Sequence, residues 1–223
     1  MQNLPKKQPT HKRPHHPATQ HSHRTNAHHY NNIQVEPTDT KVFALGGLNE
    51  IGKNMYCIEQ GNEIIIIDAG VRFAEEGLPG IDYIIPDCSY LVKNQRKIKG
   101  LLITHGHEDH IGGIPFLLRL VNIPVIYATP LACALIKRKL DEHHLTHATS
   151  FIQIDDDYQI RTENFNIGFF KTNHSIPESM GIVINTSNGR IVSTGDYKFD
   201  LTPVGDPADF QKMSFLGYTG VTL

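Results

Sequence analysis

The stretch GLLITHGHEDHIGGIPFLLRLV, residues 100–121, runs through three kinds of sequence in succession. The apolar GLLIT reads as a buried strand. Next come His105, His107 and His110, with Glu108 and Asp109 among them, all within six residues. IGGIPFLLRLV then reads as a helix that tolerates Pro115 in its first turns. Imidazole and carboxylate are the side chains that bind hydroxide-activating transition metals, so a strand that ends in them points to a metal site. His105 and His107 lie two apart on an extended segment, which turns both rings toward one ion. Asp109 and His110 follow once the chain is turning into the helix and face a second position. Gly106, Gly112 and Gly113 leave room for a tight turn. Glu108 alternates away and is not expected to be a ligand.

The remaining ligands must come from elsewhere. KVFALG, MYCIE and EIIIIDAG read as successive strands from Lys41, and SYLVKNQRKI as a helix. PVIYA is a strand, and PLACALIKRKLDEHHL a helix opened by Pro130. FIQI, YQIRT, FNIGFFKT, GIVINT and RIVST are strands, the last two around the turn SNG. The pattern is strand-rich α/β, without regular βα alternation or internal repeats. Four of the strands finish alike: in Asp68-Ala-Gly, in the 105–110 cluster, in Asn173-His174-Ser175 and in Gly195-Asp196. Such tips converge on one rim beyond the carboxyl ends of strands. Taken alone, His174 reads as a hydrogen-bonded core residue; beside HxHxDH it completes the first ion's set. Asp196 then bridges two ions about 3.5–4 Å apart. Asp68 reads either as a carboxylate that orients a ligand histidine from behind or as a turn former, and the first is preferred.

Composition narrows the setting. Residues 1–30 hold Lys6, Lys7, Lys12, Arg13 and Arg24 and no acid; with a net charge of −2 overall, this leaves −7 for the remainder. An acidic body argues against gripping nucleic acid by bulk charge alone. Residues 1–38 are a basic, His-rich, low-complexity tail expected to be disordered, and residues 39–223 form the folded part. Three scattered cysteines without CxxC favour a reducing cytoplasm over a disulfide framework. No apolar run is long enough for a membrane span. GLNEIGKN, residues 47–54, imitates a nucleotide-binding P-loop, but a strand follows it and Asn54 replaces the Ser or Thr. It is expected at the rim of the metal site. His143 and His147 lack the glutamate of a zinc-protease helix and read as a solvated helix end.

Two ions bridged by hydroxide suit the hydrolysis of phosphodiesters, esters, thioesters or lactams, and the ligand set does not choose among them. HxHxDH with a later His and Asp resembles the metallo-β-lactamase superfamily. ALGGLNEIGKNMY, GLLITHGHEDHIGGIPFLL, TNHSIPESMGIVI and STGDYKFDLTPVGDPADFQKM resemble its ribonuclease J family. The resemblance implies an α/β, metallo-β-lactamase-type αββα sandwich, of which this chain holds mainly the N-terminal half. The family's β-CASP insertion, second half and C-terminal domain, and the half-sandwich covering this half's sheet, are expected to be absent. An exposed half-core and an inactive isolated chain follow. The resemblance further implies a cytoplasmic 5′–3′ exo- and endoribonuclease of RNA processing and turnover. It would use two Zn2+, with Mn2+ as the alternative. His105, His107 and His174 hold one metal, Asp109 and His110 the other, and Asp196 both; Asp109, His110 and Asp196 carry the catalysis. RNA is the implied partner, with homo-oligomers or other RNA-decay proteins in the full-length form. The alternatives are a hydrolase of a small ester, thioester or lactam, and a non-catalytic remnant.

Overall fold

The computed structural model describes residues 39–74 and 77–223; the tail reading lies outside the described residues. Strands β1 (Thr40–Gly46), β2 (Met55–Gln60) and β3 (Glu63–Ile67) form an antiparallel meander. A short ribbon, β4 (Arg72–Phe73) and β5 (Tyr83–Ile84), leads into helix α1 (Ser89–Asn94). The helix expected to run to residue 98 stops at Asn94, followed by a single 3-10 turn. Ile98 instead pairs with Ile64 and opens β6 (Ile98–Leu102), where burial outweighs local helix preference.

From β6 the chain enters α2 (Glu108–Ile111) and α3 (Ile114–Leu120), the latter with Pro115 in its first turn as expected. β7 (Val125–Ala128), α4 (Pro130–Glu142) and β8 (Ser150–Gln153) follow, completing a six-stranded sheet in the order β1-β2-β3-β6-β7-β8. β3, β6, β7 and β8 run parallel. β9 (Ile160–Arg161), β10 (Asn166–Lys171), β11 (Met180–Thr186) and β12 (Gly189–Ser193) form a separate antiparallel sheet, and α5 (Phe210–Thr219) ends the described fold.

This second sheet corrects one expectation. The six-stranded sheet is not left bare, because the chain supplies its own cover. Residues alternate along β3: Ile64 and Ile66 meet Leu91, Leu117 and Ile136 of the helices, whereas Ile65 and Ile67 face the second sheet. There they pack with Ile167, Phe169, Ile182 and Ile184, also at period two. The outward residues Phe170 and Val183 are covered in turn by Leu216 of α5. The layers therefore run α, β, β, α, as the resemblance implied. The sequence signals showed each strand but not which sheet it would join. Helix α5 went unread because Gly217 interrupts its apolar spacing; it is capped by the Asp209 carboxylate, which accepts from the Lys212 amide at 2.8 Å.

One buried carboxylate ties the two sheets together. Glu63, on β3, accepts from the Thr162 hydroxyl at 2.6 Å and the Asn164 amide at 2.8 Å, and Lys99 lies 3.4 Å away. Burial raises its pKa, but these hydrogen bonds outweigh it and hold the carboxyl below its usual range. A depressed folded value stabilises the fold above the unfolded value of about 4.3. That stability is lost as pH falls through the folded value. Glu63→Gln is therefore expected to lower stability at pH 7 and to flatten its decline below about pH 4.3, as followed by urea denaturation across pH.

Candidate metal centre

Asp68, His105, His107, Asp109, His110, His174 and Asp196 come to one place. Asp68 stands just past β3 with φ +58, in the left-handed region that a non-glycine residue adopts only when held there. Its hold is visible: one carboxylate oxygen accepts from the Thr104 amide and the other from the Thr104 hydroxyl, each at 2.8 Å. His110 Nδ1 lies 2.8 Å from that second oxygen. With Asp68 ionised, Nδ1 carries the proton and Nε2 is turned inward. The Thr104 hydroxyl, having donated to Asp68, accepts from His105 Nδ1 at 3.0 Å, which turns the Nε2 of His105 inward as well.

Three inward nitrogens form one group. His107 Nδ1 lies 3.0 Å from His105 Nε2 and 3.1 Å from His174 Nε2. The three rings meet edge-on, with centroids 4.7–4.8 Å apart. A tetrahedral zinc with bonds of about 2.0–2.1 Å needs nitrogens roughly 3.3 Å apart, so a small inward or outward adjustment seats a metal. A second donor group overlaps it: His105, His110 and Asp196 also lie within binding reach of one another. Asp196 spans the two, with one oxygen 3.5 Å from His110 Nε2 and the other 3.7 Å from His174 Nε2. Asp109 Oδ2 is 3.6 Å from His110 Nε2.

Electrostatics fit the same reading. Burial, then the neighbouring imidazoles of His110, His107 and His174, pushes His105 down to about 2, so it offers a lone pair at any ordinary pH. Burial also lowers His174, against the pull of Asp196. In His110, burial opposes protonation, but the Asp68 carboxylate, then Asp109 and Asp196, win and raise it to about 9. Three carboxylates around one imidazole call for positive charge, which a proton supplies when no cation does. The residues can therefore hold metal.

The rim is shared by two sheets rather than formed by one. Asp68 and the 104–110 loop follow the parallel strands β3 and β6, whereas His174 and Asp196 follow β10 and β12 of the second sheet. The Met180 amide donates to the Thr104 carbonyl at 2.9 Å and joins them. Gly195, at φ +56, rests on Thr104, where a Cβ would come within 2.8 Å of Thr104 Cβ. Glu108 points away and pairs with Lys139 at 2.9 Å, as expected. His143 packs on Phe116 at the end of α4, apart from the centre. The P-loop reading is excluded because residue 55 begins a strand, β2. Asn54 and Gly70 were missed. Asn54 Nδ2 lies 3.3 Å from Asp109 Oδ2 and 3.1 Å from His110 Nε2; the rim position of its loop was the available signal.

The metallo-β-lactamase superfamily pattern matches residues 48–219. Ribonuclease J 1 of Streptococcus pyogenes serotype M3 is 58% identical over 190 residues, 85% of this chain and 34% of the relative. Ribonuclease J of Mycoplasma pneumoniae is 50% identical over 179 residues, 80% of this chain and 32% of the relative. The chain thus spans about a third of the length of these curated relatives. The metallo-β-lactamase fold protein YhfI from Bacillus subtilis superposes with a TM-score of 0.52 at 18% identity, covering 74% of this chain and 66% of its own. That likeness concerns the fold.

Gly70 tests how tightly the centre is built. A Cβ there would stand 1.5 Å from the Asp109 carbonyl oxygen, and the Gly70 amide donates to Asn54 at 3.0 Å. Backbone on backbone cannot yield as a side chain can. Gly70→Ala is expected to cost about 1–3 kcal/mol or more as overpacking, measured by thermal or urea unfolding, and to reduce metal uptake. Unchanged stability and uptake would contradict this packing.

Proposed function

Since this chain belongs to the metallo-β-lactamase superfamily, we propose that its centre holds two divalent ions, zinc by preference and manganese as the alternative, and serves the hydrolysis of RNA phosphodiesters. The observation that carries the reading is the triangle of inward nitrogens from His105, His107 and His174, with Asp196 reaching from it to His110. The choice of RNA rests on the 58% identity to a ribonuclease J across 85% of the chain. In this reading the reaction is 5′–3′ exonucleolytic as well as endonucleolytic and serves RNA processing in the cytoplasm. Among the described residues no helix is long and apolar enough to cross a membrane. RNA is the partner of this reading, with self-association or other RNA-decay proteins as further partners.

His105, His107 and His174 would hold one ion and Asp109 and His110 the other, with Asp196 giving an oxygen to each. Two ions held there would supply a water nucleophile usable at neutral pH and charge stabilisation on the phosphodiester. The chain's own part is preorganisation. Asp68 fixes the His110 ring directly and the His105 ring through the Thr104 hydroxyl, so that both Nε2 atoms face inward before any ion arrives. His105, kept neutral by burial, has no proton to give up on binding. Asp196 is half-exposed, at the solvent edge of the centre.

The test pairs metal analysis with two substrates, using the native gene product that carries this sequence. Zinc is expected to co-purify and to fall in His107→Ala and His174→Ala. A 5′-monophosphorylated RNA is expected to be cut, with cutting lost in His107→Ala, while a chromogenic lactam or thioester is untouched. Asp68→Ala is expected to lower metal affinity or activity by about 10–100-fold. Turnover of the small substrate with RNA left intact would replace this reading with that of a small-molecule hydrolase. RNA cutting that survives His107→Ala would refute it.

A further inference from the structure

Residues 47–54 form a strap over the centre that the ligand set does not account for. It is fastened at several points. Glu50 pairs with Lys53 at 3.1 Å and with Arg72 at 3.2 Å. The Lys53 amide donates to the Val71 carbonyl at 3.0 Å, and Asn49 and Lys53 are both held at positive φ. Ties of this number leave the strap's last residue little freedom. That residue is Asn54. Its own amide donates to the Asp109 carbonyl at 3.1 Å, and its carbonyl accepts from Gly70 at 3.0 Å.

Its side chain reaches further in. The carboxamide nitrogen lies 3.2 Å from the Asp109 carbonyl, 3.3 Å from Asp109 Oδ2 and 3.1 Å from His110 Nε2. Because His110 Nδ1 faces Asp68, its Nε2 is the atom left for a metal, and the Asn54 carboxamide stands beside that atom. A hydrogen bond from Asn54 to Oδ2 sets the rotamer of Asp109 and aims the carboxylate beside His110. Among the described residues, the Asn54 carboxamide bonds to Asp109 and His110 and not to His105, His107 or His174. We infer that Asn54 is a positioning residue for the second metal alone, aligning Asp109 with His110 so that they bind an ion together. The inference rests on the two-ion reading above and adds a residue to it.

The role predicts an asymmetric loss. Removing the carboxamide should leave the three-histidine position intact and weaken the position of Asp109 and His110 by about 10–100-fold, the usual effect of losing a group that orients a ligand. The experiment is a zinc titration of metal-free protein in competition with a chelating dye. The seven histidines between residues 11 and 29 are replaced by alanine, so that only the centre is titrated. Wild-type and Asn54→Ala proteins are compared, and thermal melting confirms that both are folded. Two sites in the wild type, with one weakened and the other unchanged in Asn54→Ala, is the expected result.

Equal weakening of both sites would make Asn54 a merely structural strap residue and overturn the inference. Two unchanged sites would overturn it too. A wild type that binds a single ion would instead remove the two-ion reading on which it stands. Should Asn54→Ala fail to fold, Asn54→Ser keeps a shorter donor on the same backbone. It is expected to show a smaller loss confined to the same site, and no loss there would count against the inference.

Discussion

A single buried carboxylate organises the centre. Asp68 is only 2% exposed and sits where β3 ends, yet its carboxylate reaches a loop more than thirty residues away through three hydrogen bonds. A buried anion of this kind is stable only when its lone pairs are satisfied. The Thr104 amide, the Thr104 hydroxyl and the His110 ring satisfy them, and in doing so they fix the loop between β6 and α2. Donating hydrogen bonds to a carboxylate also settles which nitrogen of each ring carries the proton. Folding and ligand orientation are thus one event: the interaction that closes the loop also points the imidazoles.

The second sheet supplies what the first cannot. A parallel sheet brings Asp68 and the 105–110 loop to one end, but a metal needs donors from the other side as well. The antiparallel sheet packed through Phe169, Ile182 and Ile184 carries His174 and Asp196 to that side. The apolar layer between the sheets therefore sets the distance between the two halves of the centre. Phe165 and Phe169 are fully buried in that layer, where truncating a phenylalanine to alanine typically costs about 3–5 kcal/mol. Charge balance completes the account, since Asp68, Asp109 and Asp196 together hold positive charge on His110.

Much of this was legible in the sequence, for reasons that differ from residue to residue. The 105–110 cluster announces itself because so many ligating side chains on one strand end have no structural use. His174 and Asp196 are single residues, visible only because each follows an apolar strand that ends in the same way. Strand positions were readable from the short apolar runs of β3, β10 and β11, but sheet membership was not. Pairing is a long-range property, and nothing local in GIVINT states that Ile182 pairs with Phe169 of β10 and not with a strand of the first sheet. Asn54 and Gly70 were hidden for a related reason. An amide that donates to Asp109, and a glycine pressed on its carbonyl, become meaningful only once β2, β3 and α2 have met.

The central claim is that groups far apart in sequence are gathered and oriented to hold two cations at one rim. Anomalous X-ray scattering at the zinc edge from crystals of the zinc-loaded protein tests it most directly. Two peaks roughly 3.5–4 Å apart are expected. One would lie among the rings of His105, His107 and His174 and the other beside Asp109 and His110, with Asp196 between them. A peak only among the histidines of residues 11–29, or none within reach of His174 and Asp196, would contradict it.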